Sequence, residues 1–150
     1  MGLYQKGFFR ISVLAVMFLA IAASGPLCAE EEGWTALFDG NSLDGWQQRG
    51  GKAIYSAENG AIVGTSVPNT PNSFLCTKTN WGDFELELEF QVDPQLNSGI
   101  QIRTNSLPEY HNGRVHGYQV EIDPSDRGWS GGIYDEGRRG WIAPLSGNTA

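Results

Sequence analysis

The chain has 150 residues, of which 40% are hydrophobic and 18% are charged, and its formal net charge at pH 7 is −7. This length is enough for one domain with a hydrophobic core, and the negative charge argues against a nucleic-acid or anionic-membrane partner, because such partners select basic surfaces. Only two cysteines, Cys28 and Cys76, are present, which excludes a small scaffold held together by several disulfides.

The N-terminal segment has the three parts of a secretory signal. Lys6 and Arg10 precede an apolar run over residues 11–23, and small residues follow as far as Ala29. The apolar run is too short to cross a bilayer comfortably, so we predict a signal peptide over residues 1–29 that is cleaved after Ala29. Cleavage a few residues earlier, a lipidated cysteine and an uncleaved membrane anchor are the alternatives.

Loss of this leader changes the charge and the cysteine content. It removes two basic residues and no acidic one, which takes the formal net charge from −7 to −9. Cys76 then has no partner for an intramolecular disulfide, and we expect it to be a buried, unreactive thiol. We therefore predict an exported protein, periplasmic or extracellular, that has no stable membrane association after cleavage.

Short strands with turn signals between them are predicted from residue 53 onward. Residues 53–57 and 61–65 flank Asn59 and Gly60, which favour a hairpin because a type I′ turn needs a positive φ at both central residues. Residues 73–77 form a further candidate strand. No segment keeps a helical period, so the predicted class is all-β, either a sandwich or a barrel.

Three later segments alternate strictly between apolar and polar side chains. They are FELELEF at residues 84–90, SGIQIRT at residues 98–104 and GYQVEID at residues 117–123. A period of two is typical of an antiparallel strand with one buried face. We expect the three strands to form a sheet with one apolar and one polar face. The glutamates of the first segment also fit a plain solvated face that deters aggregation.

The remainder of the chain is predicted to be mostly loop. Residues 124–132 have loop composition, residues 133–134 form a brief strand, residues 135–140 form a charged turn, and residues 141–145 lead into the final loop. A sandwich with this many paired strands should close with more of them. We therefore expect residues 30–150 to be a partial β-sandwich domain that is incomplete at the C-terminus.

Four ordered motifs run through the chain after the leader. They are WTALFDGNSLDGW at residues 34–46, NWGDFEL at residues 80–86, NSGI at residues 97–100 with Arg103 after it, and GYQVEID at residues 117–123 with GIY after it. This set resembles the 3-keto-disaccharide hydrolase family. The resemblance implies a concanavalin-like jelly-roll sandwich in a secreted or periplasmic bacterial protein that cleaves 3-keto-glycosides, and its pattern continues past residue 150.

The chemistry of such a substrate defines the groups that a site must supply. A ketone at C3 of a sugar acidifies the hydrogen on C2, so a base can remove that proton and the resulting enolate can expel the substituent at C1. The site needs a base, a cation or donor beside the enolate oxygen, and an acid for the leaving oxygen.

Three residues are the candidates for these roles. Glu121 is the predicted base, because it is central in a polar strand face. Arg103 would provide a planar cation for the enolate or the 3-keto oxygen, and His116 would donate a proton to the leaving group. The alternatives are an ion pair between Glu121 and Arg103, an ion pair between Arg103 and the glutamates of residues 85–89, and a metal site formed by His116 with His111.

Six more residues are assigned to substrate binding, either as hydrogen-bonding groups or as aromatic surfaces for a sugar ring. They are Gln119, Asp123, Gln101, Asn97, Tyr134 and Trp141. No cofactor is predicted, and no ligand spacing is diagnostic of a metal, although the carboxylates are of a kind that coordinates calcium or a transition ion.

The expected function is that of a hydrolase or lyase acting on 3-keto-glycosides, with a carbohydrate as the partner. A noncatalytic, lectin-like carbohydrate-binding module is the alternative, and the two differ in turnover. An extracellular structural module is a weaker third hypothesis, because it would not need Gln119, Glu121 and Asp123 on one strand face.

Overall fold

The computed structural model of the chain describes residues 6–14, 33–143 and 145, the first of these ranges by its backbone alone. Throughout these residues the regular structure is β-strand, without an α-helix. The strands are β1 (Lys6–Leu14), β2 (Trp34–Ala36), β3 (Trp46–Gly50), β4 (Ile54–Glu58), β5 (Ala61–Thr65), β6 (Ser73–Thr77), β7 (Glu85–Gln91), β8 (Ser98–Asn105), β9 (His116–Ile122), β10 (Ile133–Glu136) and β11 (Gly140–Ala143). No helix that could span a bilayer occurs among these residues.

The strands form three antiparallel sheets. One five-stranded sheet contains β1, β2, β4, β5 and β7, a four-stranded sheet has the order β11-β10-β9-β8, and β3 pairs with β6. The prediction of an all-β sandwich of antiparallel sheets is confirmed. The expectation that the three alternating segments share one sheet is wrong for β7, which lies in the five-stranded sheet, because sheet membership is set by long-range pairing and not by the local period.

Strand β1 lies inside the five-stranded sheet and overlaps the predicted leader. It pairs with β7 over residues 8–14 along one edge, and with β5 and β2 along the other. The remaining leader residues after Leu14 lie outside the described part of the chain. The backbone of β1 therefore joins β5 to β7 within this sheet.

The predicted hairpin around Asn59 and Gly60 is confirmed. Strands β4 and β5 pair from Ile54 with Thr65 to Glu58 with Ala61, and the two turn residues have φ values of 51° and 76°. Positive φ at both positions is the requirement of a type I′ turn.

The end of the described chain is more regular than predicted. Asp135 and Glu136 belong to β10 rather than to a charged turn, and β11 lies where only a loop was expected. The turn itself contains residues 137–139. Gly137 and Gly140 both have positive φ, which allows the chain to turn tightly between β10 and β11.

The interior combines a small apolar core with an open cavity. Among the described residues, the buried apolar side chains are Ala61, Ile62, Val63, Val115 and Ile122. Side chains from all three sheets line a cavity of about 1040 Å³. Cys76 is a half-buried free thiol at this cavity, and burial raises its pKa against the opposing charge of Arg49, which agrees with an unreactive thiol.

Candidate functional site

Strand pairing brings polar side chains of β8, β9 and β10 onto one face of the four-stranded sheet. Gly99 pairs with Glu121, while Gln119 pairs with Gln101 on one side and with Tyr134 on the other. Because side chains alternate along each strand, these residues project from the same face. The polar face expected from the alternation in β8 and β9 is therefore present.

Glu121 is buried in this face and held by two amides. Its side chain is 5% exposed. Asn97 Nδ2 donates to Oε1, and Gln119 Nε2 donates to Oε2 at 2.8 Å. The backbone N–H of Glu121 donates to the Gly132 carbonyl at 2.9 Å. Both carboxylate oxygens accept hydrogen bonds, which offsets part of the cost of burying the charge.

Glu121 differs from the other buried carboxylates of the described residues in having no arginine beside it. Four carboxylates are buried in the described part of the chain, and three of them form ion pairs with arginines. The pairs are Asp123 with Arg127, Asp135 with Arg138 and Arg139, and Glu136 with Arg114. Among the described residues, Glu121 has no cationic partner within ion-pair distance.

Asp123 is buried and shapes the loop that follows β9. Its Oδ1 accepts a hydrogen bond from the Ser125 N–H at 3.0 Å, and its Oδ2 lies 2.7 Å from Arg127 Nη2 in an ion pair that lacks hydrogen-bond geometry. Burial acts to raise the pKa of Asp123, but the hydrogen bonds from Ser125 and the charge of Arg127 outweigh it and lower the pKa below its usual value. The carboxylate is thus turned into its own loop rather than toward Glu121.

Arg103 lies on the surface and away from Glu121. It is four positions along β8 from Gly99, the residue paired with Glu121, which is about 13 Å along a strand. Its guanidinium bonds Asp83 Oδ1 at 2.5 Å, and the two side chains are 54% and 100% exposed. The alternative of an ion pair with the glutamates of residues 85–89 is wrong, because the partner of Arg103 is Asp83, which precedes β7.

His116 is at the far end of β9 and contacts an aromatic ring. Its Nδ1 is 2.8 Å from the Arg114 carbonyl oxygen, and its ring lies 3.9 Å from the ring centre of Tyr110. His111 contacts the edge of the same ring at 4.7 Å. By strand alternation His116 projects from the face opposite to Glu121. Within the described residues, no group of three metal-binding side chains is assembled.

An aromatic cluster borders the polar face. The Trp141 ring lies 5.3 Å from Tyr134 and 4.8 Å from Trp129, edge to face in both cases. The guanidinium of Arg127 lies 4.4 Å above the Trp129 ring. Because Tyr134 is the strand neighbour of Gln119, the cluster adjoins the amides that surround Glu121.

The amides around Glu121 also line the large cavity. Asn97, Gln101 and Gln119 are among its lining residues, whereas Glu121 is not. Asn97 is exposed, and it covers Oε1 from the loop before β8. A ligand in the cavity would therefore meet the amides first and reach the carboxylate by replacing one of them.

Two residues of this arrangement were not predicted from the sequence. Thr104 hydrogen-bonds the Gln101 side chain at 3.1 Å, and Gly99 leaves the space that the Gln119 side chain occupies. The alternation pattern identified Gln101 and Gln119, so their strand neighbours were the available signal. The pattern does not show which neighbours touch.

Comparison with known proteins gave one family match. The model of the family described as the 3-keto-alpha-glucoside-1,2-lyase-like domain matches residues 33–149. That range contains the described strands β2 to β11 and the whole polar face. A search among curated proteins found no match to the chain.

Proposed function

The chain belongs to the 3-keto-alpha-glucoside-1,2-lyase-like domain family, and from that premise we propose that it cleaves 3-keto-glycosides with Glu121 as the base. The family description points to an enzyme that acts on glycosides, and its fold is the concanavalin-like jelly roll that the motifs implied.

One observation carries the assignment of the base. Glu121 is the buried carboxylate whose described partners are neutral amides, whereas its three buried counterparts are ion-paired to arginines. A carboxylate clamped by a guanidinium is a poor proton acceptor, because proton uptake would leave the cation unbalanced in a desolvated place. Neutral amides impose no such penalty, which favours Glu121.

The proposed reaction proceeds in two steps. Glu121 takes the proton from C2, and the electrons of that C–H bond form an enolate with the C3 carbonyl. The enolate then re-forms the ketone and expels the C1 substituent as an alkoxide, which takes a proton from the protonated Glu121 or from water. This leaves a C1–C2 double bond and a free alcohol or sugar. Addition of water across that bond gives the hydrolysed 3-keto sugar, so elimination alone makes a lyase and elimination with hydration makes a hydrolase.

The amides near Glu121 are suited to orient the substrate. Asn97 is exposed and donates to Glu121 Oε1, so a substrate that replaces this donor gains direct access to the carboxylate. Gln101 lies on the same face and is suited to a sugar hydroxyl or to the 3-keto oxygen. The role of Arg103 as the enolate cation stays a prediction, and it requires the guanidinium to leave Asp83.

A binding module is the second candidate function. The cluster of Trp141, Tyr134 and Trp129 beside a row of amides is typical of surfaces that bind sugars without reacting with them. The low exposure of Glu121, 5%, also fits a site that never uses the carboxylate as a base.

Export is a further part of the proposal. The basic, apolar and small-residue sections of residues 1–29 support a signal peptide cleaved after Ala29. N-terminal sequencing of protein recovered from outside the cytoplasm should begin at Glu30, and a chain that still begins at Met1 would contradict this.

Turnover of matched sugars tests the proposed function. The full chain is incubated with a 3-keto-disaccharide and, separately, with the unoxidised parent disaccharide, and the products are quantified by chromatography. The 3-keto sugar should be cleaved and the parent should not, because only the ketone acidifies the C2 hydrogen. Equal cleavage of both would refute proton abstraction, and binding of both without cleavage would favour the binding module.

A further inference from the structure

A chain of side-chain hydrogen bonds runs from Thr104, near the C-terminal end of β8, to Glu121 on β9. Gln119 Nε2 donates to Glu121 Oε2 at 2.8 Å, and Gln101 Nε2 donates to Gln119 Oε1 at 2.6 Å. Thr104 Oγ1 donates to Gln101 Oε1 at 3.1 Å. Four side chains on two strands are thereby linked end to end.

The carboxylate end of the chain fixes the orientation of both amides. An ionised carboxylate only accepts hydrogen bonds, so Gln119 must turn its NH₂ group toward Glu121 and its oxygen toward Gln101. Gln101 must then offer its own NH₂ group to Gln119 and its oxygen to Thr104. The Thr104 hydroxyl donates to that last oxygen. Reversing either amide alone would oppose like groups at Glu121 or between Gln101 and Gln119.

Because Gly99 has no side chain, the Gln119 side chain can lie over it and reach Glu121. A Cβ at position 99 would lie 2.5 Å from Cγ and Cδ of Gln119 and 2.7 Å from its Nε2. Gly99 is the strand partner of Glu121, so Gln119 reaches the carboxylate by lying across the glycine. Any side chain at position 99 would push the amide away from the carboxylate.

We propose that Thr104 is a positioning residue that, through Gln101 and Gln119 and across the space left by Gly99, holds the Glu121 carboxylate in its reactive orientation. This role rests on the proposed function of Glu121 as the base. Thr104 does not contact the carboxylate, although it lines the cavity together with Gln101 and Gln119. Its effect is mainly on the alignment of the base, so it should alter the rate of proton abstraction more than substrate affinity, to which Gln101 would also contribute.

A second acceptor near the hydroxyl sets the size of the effect. Thr104 Oγ1 also lies 3.0 Å from the Ile102 carbonyl oxygen, and a hydroxyl has a single proton to donate. The contact with Gln101 is therefore shared, and its loss corresponds to about a 3- to 10-fold decrease in kcat, the range of one ordinary hydrogen bond.

Three threonine variants of the full chain test this role on a 3-keto-disaccharide. Thr104→Val keeps the shape and removes the hydroxyl, and we expect kcat to fall about 3- to 10-fold with KM changed less than about twofold. Thr104→Ser should restore kcat. Thr77→Val is the matched control, because the Thr77 hydroxyl also donates to a carbonyl two residues away, at 2.9 Å, and it should leave both constants unchanged.

Side-chain NMR follows the chain of hydrogen bonds without turnover. In Thr104→Val the NH₂ protons of Gln119 should exchange with water faster than in the wild type, because their carboxylate partner is less well aligned. Unchanged exchange, a Thr104→Val variant with wild-type kcat, or a Thr104→Ser variant as slow as Thr104→Val would each overturn the role of Thr104 alone. A wild-type chain without turnover of the 3-keto sugar would overturn the proposed function together with this role.

Discussion

The two donors around Glu121 determine how the site responds to substitution. Asn97 and Gln119 each present an NH₂ group to one carboxylate oxygen. An amide in place of the carboxylate would offer one oxygen and one NH₂ group, so one of the two donors would face another donor and turn away. A change at this residue therefore alters the local hydrogen bonds as well as the charge.

Glu121→Gln should abolish most turnover while sugar binding is largely kept. The amide retains the size of the side chain but cannot accept the C2 proton, and loss of a general base costs about 10²–10⁴-fold in rate. The measurements are kcat on a 3-keto-disaccharide and the Kd of the unoxidised parent. Glu87→Gln on exposed β7 is the control for loss of one charge.

Near-normal turnover by Glu121→Gln would move the base elsewhere. His116 and Asp123 are the other candidates. Asp123 is bound to Arg127 and Ser125 in its own loop, and His116 projects from the opposite face of the sheet. Each would need a rearrangement to reach a substrate beside Gln119.

Trp141→Ala should weaken sugar binding. Trp141 is the central ring of the aromatic cluster, in contact with both Tyr134 and Trp129. Loss of one stacking contact should raise the Kd of the parent disaccharide about 3- to 10-fold. Phe90→Ala, at a residue that is 49% exposed and outside both the cluster and the cavity, should leave Kd unchanged, and titration calorimetry measures both. Equal loss in the two variants would contradict a role for the cluster.

At the scale of elements, the hairpin of β10 and β11 depends on a buried carboxylate. Asp135 is fully buried, and its two oxygens accept hydrogen bonds from Arg138 Nε and Arg139 Nε, each at 2.6 Å. Burial acts to raise the pKa of Asp135, but the two arginines outweigh it and lower the pKa below 3.8. The lowered pKa means that folding favours the ionised form.

This pair of contacts should give the fold an acid-sensitive contribution. Because the pKa of Asp135 is lower in the folded than in the unfolded chain, its stabilisation is present above the unfolded value of 3.8 and is lost as the pH falls through the folded value. Asp135→Asn should lower Tm at pH 7 and reduce the difference in Tm between pH 7 and pH 3. Glu87→Gln is the exposed control, and an equal change in both variants would contradict this role.

The elements that could be predicted from the sequence are those with a strong local pattern. Strict alternation identified β7, β8 and β9, and a turn dipeptide identified the hairpin of β4 and β5. Residues of strand β1 were predicted only as part of the leader. Strands β2, β3 and β11 were missed, because these three are only 3–5 residues long and have too few residues to show a period. Long-range pairing holds them in place, and a local pattern does not record it.

The candidate site was predictable to the same extent. Gln101, Gln119, Glu121 and Tyr134 share a face because of period and register. The position of Arg103 was not predictable, because the register shifts between Ile102 and Asn105 and Arg103 itself has a φ of 51°. A bulge of this kind turns a side chain out of the alternation, and its guanidinium reaches Asp83 instead of the polar face.

At the scale of the whole molecule, residues 6–14 belong both to the predicted signal peptide and to strand β1 of the five-stranded sheet. Strand β1 joins β5 and β7 by hydrogen bonds along both of its edges, and the proposed cleavage after Ala29 would remove it. The edges of β5 and β7 would then be open, and open edges promote pairing between molecules.

We therefore predict that the chain beginning at Glu30 is prone to aggregation. It should associate at lower concentration than the full chain and unfold less cooperatively, because β5 and β7 have lost a partner. Light scattering and thermal unfolding of the two chains at equal concentration measure this. A soluble monomer beginning at Glu30, with the Tm of the full chain, would contradict the prediction.

The pairing of β1 also bears on the order of events in the cell. An export channel and a signal peptidase need the leader as an extended, accessible segment, whereas a completed sheet hides its backbone between two neighbours. Folding before translocation would then prevent export of this chain. A molecule that forms the sheet first would keep its leader and remain in the cytoplasm. The half-time of folding, set against the rate of delivery to the membrane, would decide how much of the protein leaves the cell.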